Sequence, residues 1–175
     1  MNEFFDITRF SLTNLTLEPK RVNLSRMLEQ ITYEFNPILM EKELSWNLII
    51  RPDIELFCDP DKLERVFDNL IRNAVNYSYQ GTDIYLSLEQ NNDYIRVRVQ
   101  NQGKTIPPEK LEKIFEQFFR LDSSRGTSTG GAGLGLAIAK EIVELHGGTI
   151  SVQSADETIL FTVVFPKDRH KIVRN

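Results

Sequence analysis

Three asparagines, Asn69, Asn73 and Asn76, fall inside "DPDKLERVFDNLIRNAVNYSYQG", a segment that otherwise reads as a strong helix. At about 100° per residue they share one edge, with Tyr77 among them, while Leu63, Val66, Phe67, Leu70, Ile71 and Ala74 form the apolar stripe. Asparagine is a poor helix former, about 0.5–0.7 kcal/mol worse than alanine at each position, so three cost about 2 kcal/mol. That is a sizeable part of the roughly 5–15 kcal/mol that holds a domain together. Glu, Lys or Gln would serve a merely solvated face as well. A carboxamide offers a neutral oxygen, a suitable single ligand for Mg²⁺, an ion that keeps waters and takes most other oxygens from phosphates.

A second feature suits phosphate. In "TGGAGLGLAIAKEIVELHGG" four glycines, Gly130, Gly131, Gly133 and Gly135, precede an apolar helical pattern. The run is not a Walker loop, because Leu136 and Ala137 stand where Lys and Ser or Thr are needed. Nor is it a dinucleotide fingerprint, since residue 136 is leucine and the run follows a polar loop rather than a strand. What remains is a set of accessible backbone N–H groups at a helix N-terminus, a combination that binds anions.

The elements that would position these groups alternate along the chain. "LTLEPKRVNLSRML" reads as a linker entering a helix capped by Asn23 or Ser25 and running to about Glu43, with Pro37 able to break or kink it. "SWNLIIR" and "IELF" alternate as strands, and the asparagine helix follows an Asp–Pro start, with Gly81 beyond its end. "DIYLSLEQ" and "DYIRVRVQ" form a hairpin through Asn91–Asn92, and a short helix after Pro107–Pro108 ends near "FEQFFR". The glycine-led helix then enters a closing hairpin, "GTISVQS" and "TILFTVVF". Hairpins dominate, so the expected fold is an α/β (α+β) two-layer sandwich: a mixed, mainly antiparallel sheet of about five strands under about three helices.

The totals fit one soluble domain. At 175 residues and a net charge of −4, nothing argues for nucleic acid or an anionic membrane, and no apolar run approaches a bilayer span. The single Cys58 excludes an internal disulfide, and two separated histidines argue against zinc. His146 ends a helix before Gly147–Gly148, where an imidazole commonly meets the last carbonyls; His170 lies in a basic tail.

Taken in order and spacing, "NLIRNAVNYS", "NQGKTIPPEKLEKIFEQFFR" and "GGAGLGLAIAKEIVELHGG" resemble the N, G1, F and G2 boxes of sensor histidine kinase catalytic domains, in the Bergerat-fold ATPase superfamily. The resemblance covers about residues 20–166, and details such as "FFRLDSSR" are similar to the type that controls vancomycin resistance. It implies a domain that binds Mg-ATP and passes the γ-phosphoryl to a histidine. Asn73 would hold Mg²⁺, Asn69 would help at the phosphate end, and Tyr77 would stack on adenine. Asn101 stands where most members have an aspartate that accepts from the adenine amino group, and Gly103 would give the base access to backbone. Arg120 would reach the terminal phosphates, and about Lys104 to Ala132 would be a mobile lid over ATP. Gly131, Ala132, Gly133, Leu134, Gly135 and Leu136 would bring backbone to the phosphates, and Asn76, Thr105, Ile106 and Phe119 complete the expected binding set.

Some positions depart from the family pattern. Asn101 keeps a carbonyl acceptor but adds a donor that could face the O6 of guanine. Most relatives carry lysine at Asn76, and Thr105 replaces a usual glycine. A hydrolase of the same fold would need a glutamate one turn before the metal asparagine; here that residue is Asn69, and Glu64 is too far along the helix. A nucleotide-binding module without transferase activity is the other alternative. Residues 1–20 read as the stub of a dimerisation helix with its linker, 21–166 as the catalytic domain and 167–175 as a basic tail. The resemblance further implies a response-regulator partner, a dimerisation and phosphoacceptor domain absent from this chain, a monomeric isolated domain, and a membrane-anchored parent with this part in the cytoplasm.

Overall fold

The structure, a computed structural model, describes residues 16–117, 119 and 135–167. Its first element is a strand, β1 (Lys20–Asn23), where a linker was expected; it pairs antiparallel with β3 (Glu55–Cys58) in a two-stranded ribbon. Four residues, two of them charged, carry no usable period, so only the distant partner defines this strand.

Asn23 is the cap of α1 (Leu24–Glu34), its Oδ1 accepting from Arg26 N at 2.9 Å. Ser25, the other candidate cap, is buried; its Oγ donates to the Arg51 carbonyl and accepts from Ile54 N. The helix does not continue to Glu43. It stops at Glu34, and α2 (Asn36–Glu41) restarts it, because Pro37 has no N–H to donate and restricts the residue before it. Trp46 Nε1 donates to the Thr32 carbonyl at 3.0 Å and ties α1 to the sheet.

Five strands form the main sheet: β2 (Ser45–Ile50), β4 (Asp83–Gln90), β5 (Tyr94–Gln102), β6 (Thr149–Ala155) and β7 (Thr158–Pro166). Their order is β2-β4-β5-β7-β6. Only β2 and β4 run parallel, and the crossover between them carries β3 and α3 (Pro60–Tyr77), as a parallel pair requires. One face of the sheet is a continuous apolar wall of alternate residues, including Ile84, Leu86, Val97, Val99, Phe161 and Val163, under α1, α3 and α5 (Gly135–Leu145). The other face is open and carries Glu89 with Arg96 and Arg98. This is the two-layer, mainly antiparallel sandwich expected from the hairpin pattern. The helix after Pro107 is shorter than expected: α4 spans Pro108–Leu111, and bonds between residues three apart, Ile114 to Leu111 and Glu116 to Lys113, turn the chain onward.

Asp59 fixes where α3 starts. It is 4% exposed, and its carboxylate accepts from Lys62 N, at 3.2 Å, and Glu18 N, at 2.9 Å. Burial raises its pKa, but these N–H bonds and the Lys62 ammonium outweigh it and hold the carboxyl below its ordinary value. A depressed folded pKa contributes stability that is present above the unfolded pKa and lost as pH falls through the folded one. Asp59→Ala should therefore lower folding stability by about 1–2 kcal/mol near neutral pH. The loss should shrink as the solution is taken below the ordinary carboxylate range, a trend that urea titrations at several pH values would reveal.

Candidate functional site

Helix α3 exposes one edge beside the core, and the expected asparagines lie on it. Asn69, Asn73, Asn76 and Tyr77 are all half-buried, while Leu70, Ile71 and Ala74 of the same turns are buried. At 1.5 Å per residue the edge runs about 12 Å from Asn69 to Tyr77.

One end of this edge meets the start of α5. Asn69 Nδ2 donates to the Gly135 carbonyl at 3.0 Å, so its amide is committed to holding the first turn of that helix. A Cβ on Gly135 would lie 3.6 Å from the Asn69 side chain, an ordinary contact; the neighbours do not demand glycine there. Leu136 follows, half-buried against the core. The other end of α5 is fastened by His146, which is 3% exposed. Its Nε2 accepts from Asp59 N at 3.0 Å, and its Nδ1 lies 2.8 Å from the Ile142 carbonyl, which assigns the proton to Nδ1. Both ring nitrogens are thus used, as expected of an imidazole at a helix end. The bond to Asp59 across 87 residues of sequence was not foreseeable.

The opposite end of the edge meets the last residues of β5. Asn101 is 2% exposed, and its Nδ2 has no hydrogen-bond partner among the described residues. Gly103 is buried against the end of α3, where a Cβ would sit 2.1 Å from the Tyr77 carbonyl and 3.1 Å from Asn101 Nδ2. Glycine at 103 is therefore demanded first by the protein's own backbone, and only then by anything bound beside it. Thr105, which departs from the family glycine, braces the neighbouring hairpin, its Oγ1 accepting from Glu157 N at 2.7 Å. Ile106 N donates to Ser154 Oγ, and the Ile106 side chain is in the core.

The expected lid does not begin at Lys104. Residues 104–117 are fastened to the fold through Ile106, buried Ile114 and the edge-on contact of Phe115 with Phe161. Phe119 is half-buried, its N–H donating to Glu116. Arg120, Gly131, Ala132, Gly133 and Leu134, like most of the expected lid, lie outside the described residues. Among the described residues no group of three or more His, Cys, Asp or Glu side chains converges on a metal position. Cys58 is also buried, and burial pushes its thiol up to about 12, a packing role rather than a nucleophile. A shallow depression of about 220 Å³ opens elsewhere, on the free face of the sheet, lined by Asn47, Ile49, Tyr85, Arg98 and Gln100.

Two helix termini, an asparagine edge and a buried amide at the end of the central strand thus lie along one side of α3. The model of the histidine kinase-, DNA gyrase B- and HSP90-like ATPases matches residues 58–169, and the chain belongs to that family. It is 52% identical to the sensor protein VanSC of Enterococcus gallinarum and 43% identical to the sensor protein VanS of Enterococcus faecium, over 95% of this chain in each case. It spans 46% and 43% of their lengths, less than half of either. A solved catalytic domain of the histidine kinase ThkA superposes with a TM-score of 0.77 at 26% identity, covering 86% of this chain and 96% of that one.

Gly103→Ala tests the packing at the base of the site. It should destabilise the domain by more than about 2 kcal/mol in denaturant titrations, since backbone must move to admit the methyl group. Gly135→Ala should change stability by less than about 1 kcal/mol.

Proposed function

We propose that this chain is the catalytic domain of a two-component sensor histidine kinase, of the type that controls vancomycin resistance. It binds Mg-ATP along the asparagine edge of α3 and transfers the γ-phosphoryl to a histidine on a dimerisation domain of its parent, for relay to an aspartate of a response regulator. The observation that carries this reading is the pairing of two unlike ends on one helix edge. At one end Asn69 holds the amide-rich start of α5, suited to phosphates; at the other, Tyr77, Gly103 and the unpaired amide of Asn101 suit a flat heterocycle with polar edges.

In this reading Asn73 holds Mg²⁺, which when bound neutralises phosphate charge. Asn69 keeps α5 in place for the triphosphate, Asn76 lies alongside, and Tyr77 packs on the base. Arg120, with the backbone of Gly131, Ala132, Gly133 and Leu134, serves the terminal phosphates, and Leu136 and Phe119 close the apolar side. Ile106 supports the base pocket from within the core. The acceptor imidazole has a lone pair at neutral pH, so transfer needs positioning and charge neutralisation rather than a base.

Hydrolysis is less well served. Asn69 is a carboxamide already bonded to Gly135, and Asp68 is engaged by Arg72 at 3.3 Å. The non-catalytic alternative rests on the departures at Asn76, Asn101 and Thr105, and the bond from Glu157 N gives Thr105 a structural reason instead. Residues 1–20 are the stub of the dimerisation helix with its linker, 21–166 the catalytic unit and 167–175 a basic tail. His146 is not the acceptor, because its ring is buried and both nitrogens are engaged. Among the described residues no helix is long and apolar enough to cross a membrane; we place the domain on the cytoplasmic side of a membrane-anchored parent, monomeric when isolated. The solved complex of ThkA with the response regulator TrrA, which this chain matches at a TM-score of 0.77 and 25% identity, supports the regulator as partner.

The test follows γ-labelled Mg-ATP incubated with this chain and a separately expressed dimerisation domain. Label should pass to that domain, and Asn73→Ala should reduce the transfer rate by about 100-fold or more. Free phosphate released by this chain alone, with none transferred, would identify a hydrolase.

A further inference from the structure

Along the helix-facing row of β5, three apolar residues, Ile95, Val97 and Val99, are followed by Asn101. In register on either side stand Ile84 of β4 and Ile159 of β7, both buried. A carboxamide at the end of an apolar row, 2% exposed and with Nδ2 unpaired, carries an unmet donor. Such a group is unfavourable until an acceptor reaches it. The donor lies beside Gly103 and the Tyr77 carbonyl, about 12 Å along α3 from the Asn69 end that meets the helix start. It is therefore at the base end of the nucleotide reading given above.

On that reading, we propose that Asn101 makes the pocket permissive at purine position 6, so that 6-oxopurine nucleoside triphosphates bind as well as adenine ones. A carboxamide carries a donor and an acceptor side by side, and a half-turn of its terminal torsion exchanges them. Adenine presents an amino donor at position 6 next to the N1 acceptor; hypoxanthine and guanine present the O6 acceptor next to an N1–H donor. One amide matches either edge with two bonds. A carboxylate in the same place offers acceptors only and leaves O6 facing a negative oxygen. Asn101 is thus a specificity-determining residue whose Nδ2, unpaired among the described residues, finds an acceptor in N1 of adenine or in O6 of the 6-oxo bases.

The experiment is isothermal titration of this chain with the magnesium salts of ATP and inosine triphosphate. The latter changes position 6 without the extra 2-amino group of guanine; GTP is run as a third ligand to measure that group. The wild-type protein should bind ATP and inosine triphosphate within about fivefold of each other. Asn101→Asp should weaken inosine triphosphate about tenfold or more relative to ATP. A wild-type preference for ATP of about 100-fold or more overturns the inference and leaves the ATP-binding reading intact. Binding of neither nucleotide by the folded protein overturns that reading, and this inference with it. Because the wild-type comparison stands alone, a failure of Asn101→Asp to fold does not rescue the proposal.

Discussion

The site depends on how α3 and α5 are locked side by side. They run antiparallel, and a hydrogen bond fixes each end: Asp59 N to His146 Nε2 at the start of α3, and Asn69 Nδ2 to the Gly135 carbonyl further along. The spacing agrees with helix geometry, since ten residues of α3 and eleven of α5 each span about 15–17 Å. Between the two bonds the helices press Leu63, Val66 and Phe67 together with Ile138, Ile142 and Val143 in a common core. Apolar packing supplies the attraction but tolerates sliding; two directional bonds at the ends set the register. The polar edge of α3 is consequently delivered to the N-terminus of α5, where the first N–H groups have no intrahelical acceptor, instead of to a random point along it.

A second constraint acts at the far end. The last turn of α3 is pressed so closely on the chain leaving β5 that only glycine fits at 103. This contact places Tyr77 next to Asn101, and the bonds of Thr105 to Glu157 and of Ile106 to Ser154 hold the same segment against the β6–β7 hairpin. The end proposed for the base is thus built from a helix terminus and the central strand of the sheet.

The parts readable in the sequence were those with local periodicity. The asparagine edge, the apolar stripe of α3, the hairpins and the capping aspartate all express a pattern within a few residues. What could not be read depends on partners distant in sequence. Strand β1 exists only because β3 is beside it, and Ser25 serves the backbone at Arg51 and Ile54 instead of capping its own helix. Pro37 was readable as a possible break, but a helix to Glu43 was too long a reading, since the proline divides it. Asn101 was legible as an odd residue in a known motif. That its amide donor is buried and unpaired among the described residues follows from its place in the sheet, flanked in register by Ile84 and Ile159 and beside Gly103.

The most direct test of the central claim, that nucleotide lies along the asparagine edge of α3, is a ¹⁵N-resolved NMR titration with Mg-ATP. The side-chain amides of Asn69, Asn73 and Asn101 and the backbone amides of Tyr77, Gly103 and Gly135 should shift together and saturate at one concentration. The amides of Asn47, Ser87 and Gln100, which line the depression on the open face of the sheet, should stay in place. Saturable shifts at that open face, with the asparagine edge unmoved, would contradict the account.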